Sequence, residues 1–195
     1  MELALDLGIR NTGWSLFRDG HLLDFGIWQT KPVKAVAGRI SEQAAFDAFV
    51  IACGMKMAFY DYPEISRVIA ELPGGSKSAK AAALMKMATG LAIGMCTAHD
   101  IMIDWISPRS VKQYAMGDPL ATKKKIMAWA RKKIEAWAPK PVPKTAGEFE
   151  HIADSIAVYY AYKQLHGESL REEKNQSLGS VSGTGRSTGE KKICG

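Results

Sequence analysis

Cysteine is scarce in this 195-residue chain: three residues, Cys53, Cys96 and Cys194, far apart and without a CxxC pair. That pattern excludes a disulfide framework and a cysteine-based zinc site, and it fits a reducing compartment. The start of the chain has no basic segment followed by an apolar core and a cleavage site, so no signal peptide is expected. The longest apolar stretches are too short and too interrupted to span a bilayer, so no membrane partner is expected and the setting reads as cytoplasmic. There is no internal repeat. Residues 168–195 have little apolar content and turn to Ser, Gly and charge. They predict a disordered tail behind a single domain over residues 1–167.

What is present is ordinary for a globular domain. Hydrophobic residues make up 47%, and the formal net charge of +6 is a mild excess that points to anionic partners. The chain is organised around residues 3–17, Leu-Ala-Leu-Asp-Leu-Gly-Ile-Arg-Asn-Thr-Gly-Trp-Ser-Leu-Phe. An apolar run carries one carboxylate, Asp6, then meets a Gly/Asn turn and a second strand-like run. An unpaired polar group in a core strand costs roughly 2–7 kcal/mol, and a charge costs more. Asp6 is therefore expected to be protonated, paired, bound to a metal, or turned back to cap its own turn. Gly8 and Gly13 let backbone pass close to whatever Asp6 holds.

The remaining elements follow by pattern. Strands are expected over 2–8, 12–18 and 22–28, with Asp19-Gly20 as a tight hairpin between the last two. A helix over 41–60 is followed by a short buried strand over 67–72. An Ala/Met-rich helix over 77–99 and a strand over 101–106 come next, which implies a parallel crossover. Helices are predicted over 108–116, over 122–137 with Thr122 as cap, and from Thr145 to about 167. The order predicts an α/β fold: a five-stranded mixed sheet with strands 1–3 antiparallel and helices on both faces.

Three acids and a histidine then stand out. Asp6 lies in strand 1, and Glu71 lies near the end of the strand before the long helix, so the two belong on neighbouring strands. The last helix carries Glu150-His151-Ile152-Ala153-Asp154, with His151 and Asp154 on one face. Carboxylates that meet at one end of a sheet suit a hard cation, Mg²⁺ first, and two ions about 4 Å apart suit phosphodiester hydrolysis. Three roles are open to His151: metal ligand, base for the attacking water, or bystander on a polar face.

Asp6-Leu-Gly-Ile-Arg-Asn-Thr-Gly-Trp resembles the first motif of RuvC-type Holliday junction resolvases, and Ile69-Ala-Glu71 before a small-residue helix resembles their second. Residues 83–94, with Gly90 and Gly94, resemble the helix at their dimer interface. Ser107-Pro-Arg-Ser-Val-Lys112-Gln and the Lys-rich helix behind it resemble their DNA-approaching segment, and His151-Ile-Ala-Asp154-Ser-Ile-Ala their last motif. The resemblance spans residues 3–165 in order. It implies a ribonuclease-H-like fold, a homodimer, and nicking of four-way DNA junctions with two Mg²⁺ ions, Mn²⁺ being able to substitute. Asp6, Glu71, His151 and Asp154 are then the catalytic and metal-binding set. Leu72-Pro-Gly-Gly-Ser lacks the aromatic of the cellular enzymes and looks more like the phage branch, which implies a bacterial or phage-infected cell and makes flaps and other branched DNA plausible substrates.

No acid occurs from Pro119 to Ile134, where Lys123, Lys124 and Lys125 open a basic helix suited to phosphate, a solvated helix face being the alternative. Lys77, Lys80, Arg109 and Lys112 join them as expected DNA contacts. Two rivals remain at this level. An actin-like ATP-binding fold also opens with an Asp-x-Gly hairpin but needs a second Gly-rich hairpin, which is missing. A non-catalytic DNA-binding module would have no use for acids that repel phosphate unless a cation lies between.

Overall fold

The structure is a computed structural model that describes residues 1–31, 40–74, 78–137, 140–143 and 145–181, without the side chains of 40–41, 137 and 168–181. Its strands are β1 (Glu2–Asp6), β2 (Asn11–Arg18), β3 (His21–Gln29), β4 (Arg67–Glu71) and β5 (Met102–Ile106). Its helices are α1 (Ile40–Asp61), α2 (Ala79–Ala98), α3 (Pro108–Met116), α4 (Lys123–Trp137) and α5 (Ala146–Val181).

The sheet order is β3-β2-β1-β4-β5. β1, β2 and β3 form an antiparallel meander, while β4 runs parallel to both β1 and β5. Asp19 and Gly20 make the β2–β3 hairpin with φ of 50° and 85°, the pair of positive angles that a two-residue turn of this hand requires. Ser107 and Thr122 accept hydrogen bonds at the starts of α3 and α4, from Ser110 N at 3.1 Å and Lys125 N at 3.4 Å.

Because strand side chains alternate, the sheet feeds two cores. Leu3, Leu5, Val68 and Ala70 pack with Ile51, Met55 and Phe59 of α1 and with Ala88, Ala92 and Cys96 of α2. Ala4, Phe17 and Ile69 pack on the other face with α3, α4 and α5. There the Phe17 and Tyr159 rings stack at 3.5 Å between centroids, and buried Ser155 donates to Ser15 Oγ at 3.1 Å. This face holds α5 against β2, and Gly13 makes the approach possible. A Cβ at Gly13 would lie 2.0 Å from the His151 carbonyl oxygen.

Two expectations are corrected. The last helix does not stop near 167 but continues to Val181, so residues 168–181 are helical and the expected disordered tail does not begin at 168. Low apolar content argued against burial there, but Glu, Leu, Arg, Lys and Gln in 168–177 are good helix formers whether or not they pack. Residues 182–195 lie outside the described residues. The second correction concerns α2, which by length and composition is apolar enough to cross a membrane. It is nevertheless the crossover between two parallel strands, seated on the sheet through Ala88, Ala92 and Cys96.

Gly13→Ala forces α5 away from β2, because the clash is with backbone and no rotamer relieves it. A destabilisation of about 1–3 kcal/mol or more is expected, the range for overpacking, read by denaturant unfolding.

Candidate active site

The β1–β4 register pairs Leu5 with Ala70, so the next residue on each strand is Asp6 and Glu71. Neighbouring strands lie about 4.7–4.9 Å apart, which puts the two acids side by side at one end of the sheet. Both point to the α5 face, opposite Leu5 and Ala70. From α5, His151 Nδ1 meets Asp6 Oδ2 at 2.7 Å, with each side chain less than a third exposed. Asp154, one helical turn further along the same face, completes the group.

The electrostatics show how close these acids are. Burial first, then the charges of Asp6 and Asp154, push the Glu71 carboxyl up to about 8, with Lys112 pulling the other way. Burial, then Asp6 and Glu150, push Asp154 up to about 7, opposed by Lys123 and His151. The hydrogen bond to Asp6 raises the His151 imidazole above its usual value despite burial. These are the signs of buried carboxyls, crowded by other acids, whose charge the surroundings do not fully offset.

Two lysines face the cluster. Lys112 on α3 acts on Glu71. Lys123 at the start of α4 pairs with Glu150, and its charge also reaches Asp154 and Asp6. The other basic residues diverge. Lys125 pairs with Asp118 at 3.1 Å and Lys124 is exposed. Lys80 and Arg109 are exposed on the first turns of α2 and α3, at the end of the sheet where β4 and β5 finish. Lys77 lies outside the described residues.

One buried acid escaped the sequence reading. Asp47 of α1 has a side chain only 2% exposed and accepts from Thr30 Oγ1 at 2.7 Å, Gln43 Nε2 at 2.6 Å and Arg10 Nε at 3.2 Å. It ties the turn that follows Asp6 to α1. The signal was present: Ala44, Asp47 and Ile51 share one helical stripe and all are buried.

Among the described residues no three acid or imidazole groups converge like ligands around one ion. The donor set itself fits a divalent cation. Carboxylate oxygens on two strands and a helix suit a hard ion, and the raised Glu71 and Asp154 are groups that a cation would return to the ionised form.

Solved structures share this architecture. A Thermus thermophilus RuvC structure described as in complex with a Holliday junction substrate matches with a TM-score of 0.64 at 17% identity, over 85% of this chain and 93% of that one. A second T. thermophilus RuvC structure matches at 0.61 and 17%, over 86% and 96%. The fold is the RuvC fold. The yeast mitochondrial Holliday junction resolvase Ydc2 has it too, at 0.54 and 12% identity, over 84% of this chain and 77% of that one. No protein-family model and no curated protein sequence matches. In this RuvC fold the neighbouring ends of β1 and β4 and the facing turn of α5 carry Asp6, Glu71, His151 and Asp154.

The raised carboxyls make a stability prediction. Unfolded Asp and Glu titrate near pH 4, whereas folded Glu71 and Asp154 titrate at about 8 and 7. Between these limits the folded state holds more protons, so the stability present below about pH 4 is lost as pH rises towards 8. In the metal-free protein, Glu71→Gln and Asp154→Asn are expected to raise Tm relative to wild type at pH 8, with the difference shrinking towards pH 4. A gain independent of pH would show that ionisation of these buried, crowded carboxyls is not its source.

Proposed function

We propose that this protein is a divalent-metal-dependent endonuclease that nicks branched DNA, four-way junctions among its substrates, and works as a homodimer. The observation that carries the reading is that Asp6, Glu71 and Asp154 share one end of a RuvC-fold sheet, near enough for their charges to act on one another, with His151 on Asp6 and Lys112 and Lys123 acting on the same acids. The carboxylates would hold two ions, Mg²⁺ by ligand chemistry, with Mn²⁺ able to take its place. When bound, such ions supply Lewis acidity to the phosphoryl group and acidify water.

The chain's own groups divide the remaining work. With Asp6 ionised, His151 Nδ1 donates to Oδ2, which fixes the ring and leaves Nε2 free to take a proton from water. Lys112 and Lys123 offer charge to the phosphate that approaches the acids, and Lys124, Lys80 and Arg109 extend the basic surface. Pro73 and Gly74 after β4 bear no aromatic side chain, which supports a substrate range wider than the four-way junction.

The α2 face supports the dimer. Gly90 and Gly94 have open space where a Cβ would be, and Met87 and Ile93 are each 43% exposed. A symmetric pair across this face would present two sites to the two equivalent strands of a junction.

Purified protein with Mg²⁺ is expected to nick four-way junctions and to leave linear duplex largely intact. Asp6→Asn should abolish nicking while junction binding survives, since the amide keeps the shape and removes the charge that recruits the ion. His151→Ala should slow nicking by roughly 10²-fold or more, the lower end for general acid–base catalysis. Wild-type protein that binds junctions but nicks nothing in Mg²⁺ or Mn²⁺ would leave a binding module instead. Ile93→Asp is expected to turn a dimer into a monomer in sedimentation, and an unchanged mass would move the interface off α2.

A further inference from the structure

At the active end of the sheet one arginine is held by a buried acid to which the nuclease reading gives no part. Arg10 closes the turn that follows Asp6, and the next residue, Asn11, opens β2. β2 is the hydrogen-bonded neighbour of β1, so the two backbones lie about 4.7–4.9 Å apart. Arg10 Nε donates to Oδ2 of Asp47 on α1 at 3.2 Å. We propose that Asp47 braces Arg10 to grip a DNA phosphate next to the one that comes to the acids. The inference rests on the reading of this protein as a branched-DNA nuclease.

The bond between the two side chains leaves the arginine available. Arginine that closes fully on a carboxylate does so with two parallel N–H bonds of about 2.7–2.9 Å. Arg10 gives Asp47 one longer bond, through Nε alone. Among the described residues its Nη1 and Nη2 have no hydrogen-bond or ion-pair partner, and the side chain is 55% exposed. The planar fork of donors that matches a phosphate is therefore open.

The brace itself is fixed from several sides. The Asp47 side chain is buried, and Thr30 Oγ1 and Gln43 Nε2 donate to its other oxygen at 2.7 and 2.6 Å. Backbone groups hold the turn that carries the arginine: Thr30 N donates to Arg10 O at 2.9 Å. Thr12 Oγ1 donates to Gly8 O at 2.8 Å. An exposed ion pair is weak because two long side chains must be ordered together. Here the acid is already ordered, so the guanidinium is set in place before DNA arrives, which lowers the cost of binding.

The position suits a strand that runs on from the acids. Asp6 and Glu71 point to the α5 face, where Lys112 and Lys123 act on the cluster. Arg10 leans the other way, to α1. β1 and β3 both run antiparallel to β2, so β3 finishes at this same end. Lys31, just beyond it, is exposed. Asn11 and Gln29, paired at 3.0 Å across β2 and β3, add amides without negative charge. The basic rim thus continues round the end of the sheet to its β2–β3 side.

The test is binding of the full-length protein to a four-way junction in EDTA, where no strand is cut, over a range of salt. Arg10→Ala is expected to weaken binding about tenfold, the value of one hydrogen bond to a charged group. It should also lower the slope of log affinity against log salt by about 0.9, one phosphate contact. Arg10→Lys should keep the slope but recover only part of the affinity, because an ammonium cannot hold Asp47 by one edge and phosphate by the other. Asp47→Asn removes a negative charge, so electrostatics alone would tighten binding. The brace instead predicts a loss of at least about threefold, and no further loss when Arg10→Ala is already present. The double variant leaves neither charge unpaired, which guards against a fold defect in either single one. Wild-type affinity and slope in Arg10→Ala would overturn the proposal. Equal or tighter binding in Asp47→Asn would overturn the brace, as would a loss that persists in the double variant, the mark of a merely structural acid. Wild-type protein that does not bind the junction would overturn the nuclease reading and this inference with it.

Discussion

The approach of α5 to β2 at Gly13 is the constraint from which the rest of the site follows. His151 can touch Asp6 only because its own carbonyl occupies the space where a side chain on β2 would project. Below that point the interface is ordinary packing, the Phe17–Tyr159 stack and the Ser15–Ser155 hydrogen bond. Those contacts fix the height of the helix along the strand, and glycine fixes its depth. Depth matters more here, because a hydrogen bond such as the 2.7 Å His151–Asp6 contact weakens steeply when one partner is drawn back. Asp154 depends on the same depth, being on the same helical face.

Electrostatics then work against the fold at this end of the sheet. Three acids are gathered on a chain whose net charge is +6, and two of them are driven well above their usual carboxylate range. Such crowding destabilises the protein unless a cation or a proton is supplied. Lys112 and Lys123 offset part of it without entering the cluster, and Lys123 is itself restrained by Glu150. The same lysines leave a rim to which phosphate can come, although bare carboxylates would repel it. A site of this kind trades stability for the ability to recruit a cation.

Most of the sheet was legible in the sequence because its signals are local. Asp19-Gly20 demands a tight hairpin, and a strand, an Ala-rich helix and a strand demand a parallel crossover. Asp6 beside Glu71 follows from that topology alone. What periodicity cannot supply is the partner across a gap. It placed Gly13 as a site of close approach but not His151 as the group approached. It grouped Lys123, Lys124 and Lys125 as one basic stretch, yet successive helical residues turn by about 100°, so one meets Glu150, one water and one Asp118. The length of α5 was missed because apolar content reports burial, while intrinsic propensity can extend a helix without any.

Asp47 and Asp6 show why the residue type alone could not separate a structural acid from a chemical one. Both interrupt an apolar pattern, and Asp47 is the more deeply buried. Asp47 is matched by donors from Thr30, Gln43 and Arg10, two of them neutral and one cationic, so its charge is stabilised where it stands and it has little left to offer a ligand. Among the described residues Asp6 has one hydrogen-bond partner, an imidazole that can gain or lose a proton, and two acidic neighbours that make its surroundings more negative. The difference lies in satisfaction rather than in burial. A carboxylate surrounded by donors holds the chain together, as Asp47 does by fastening the turn after β1 to α1. A carboxylate surrounded by other acids is a place where the molecule still lacks positive charge, and that lack is what a cation and its phosphate fill.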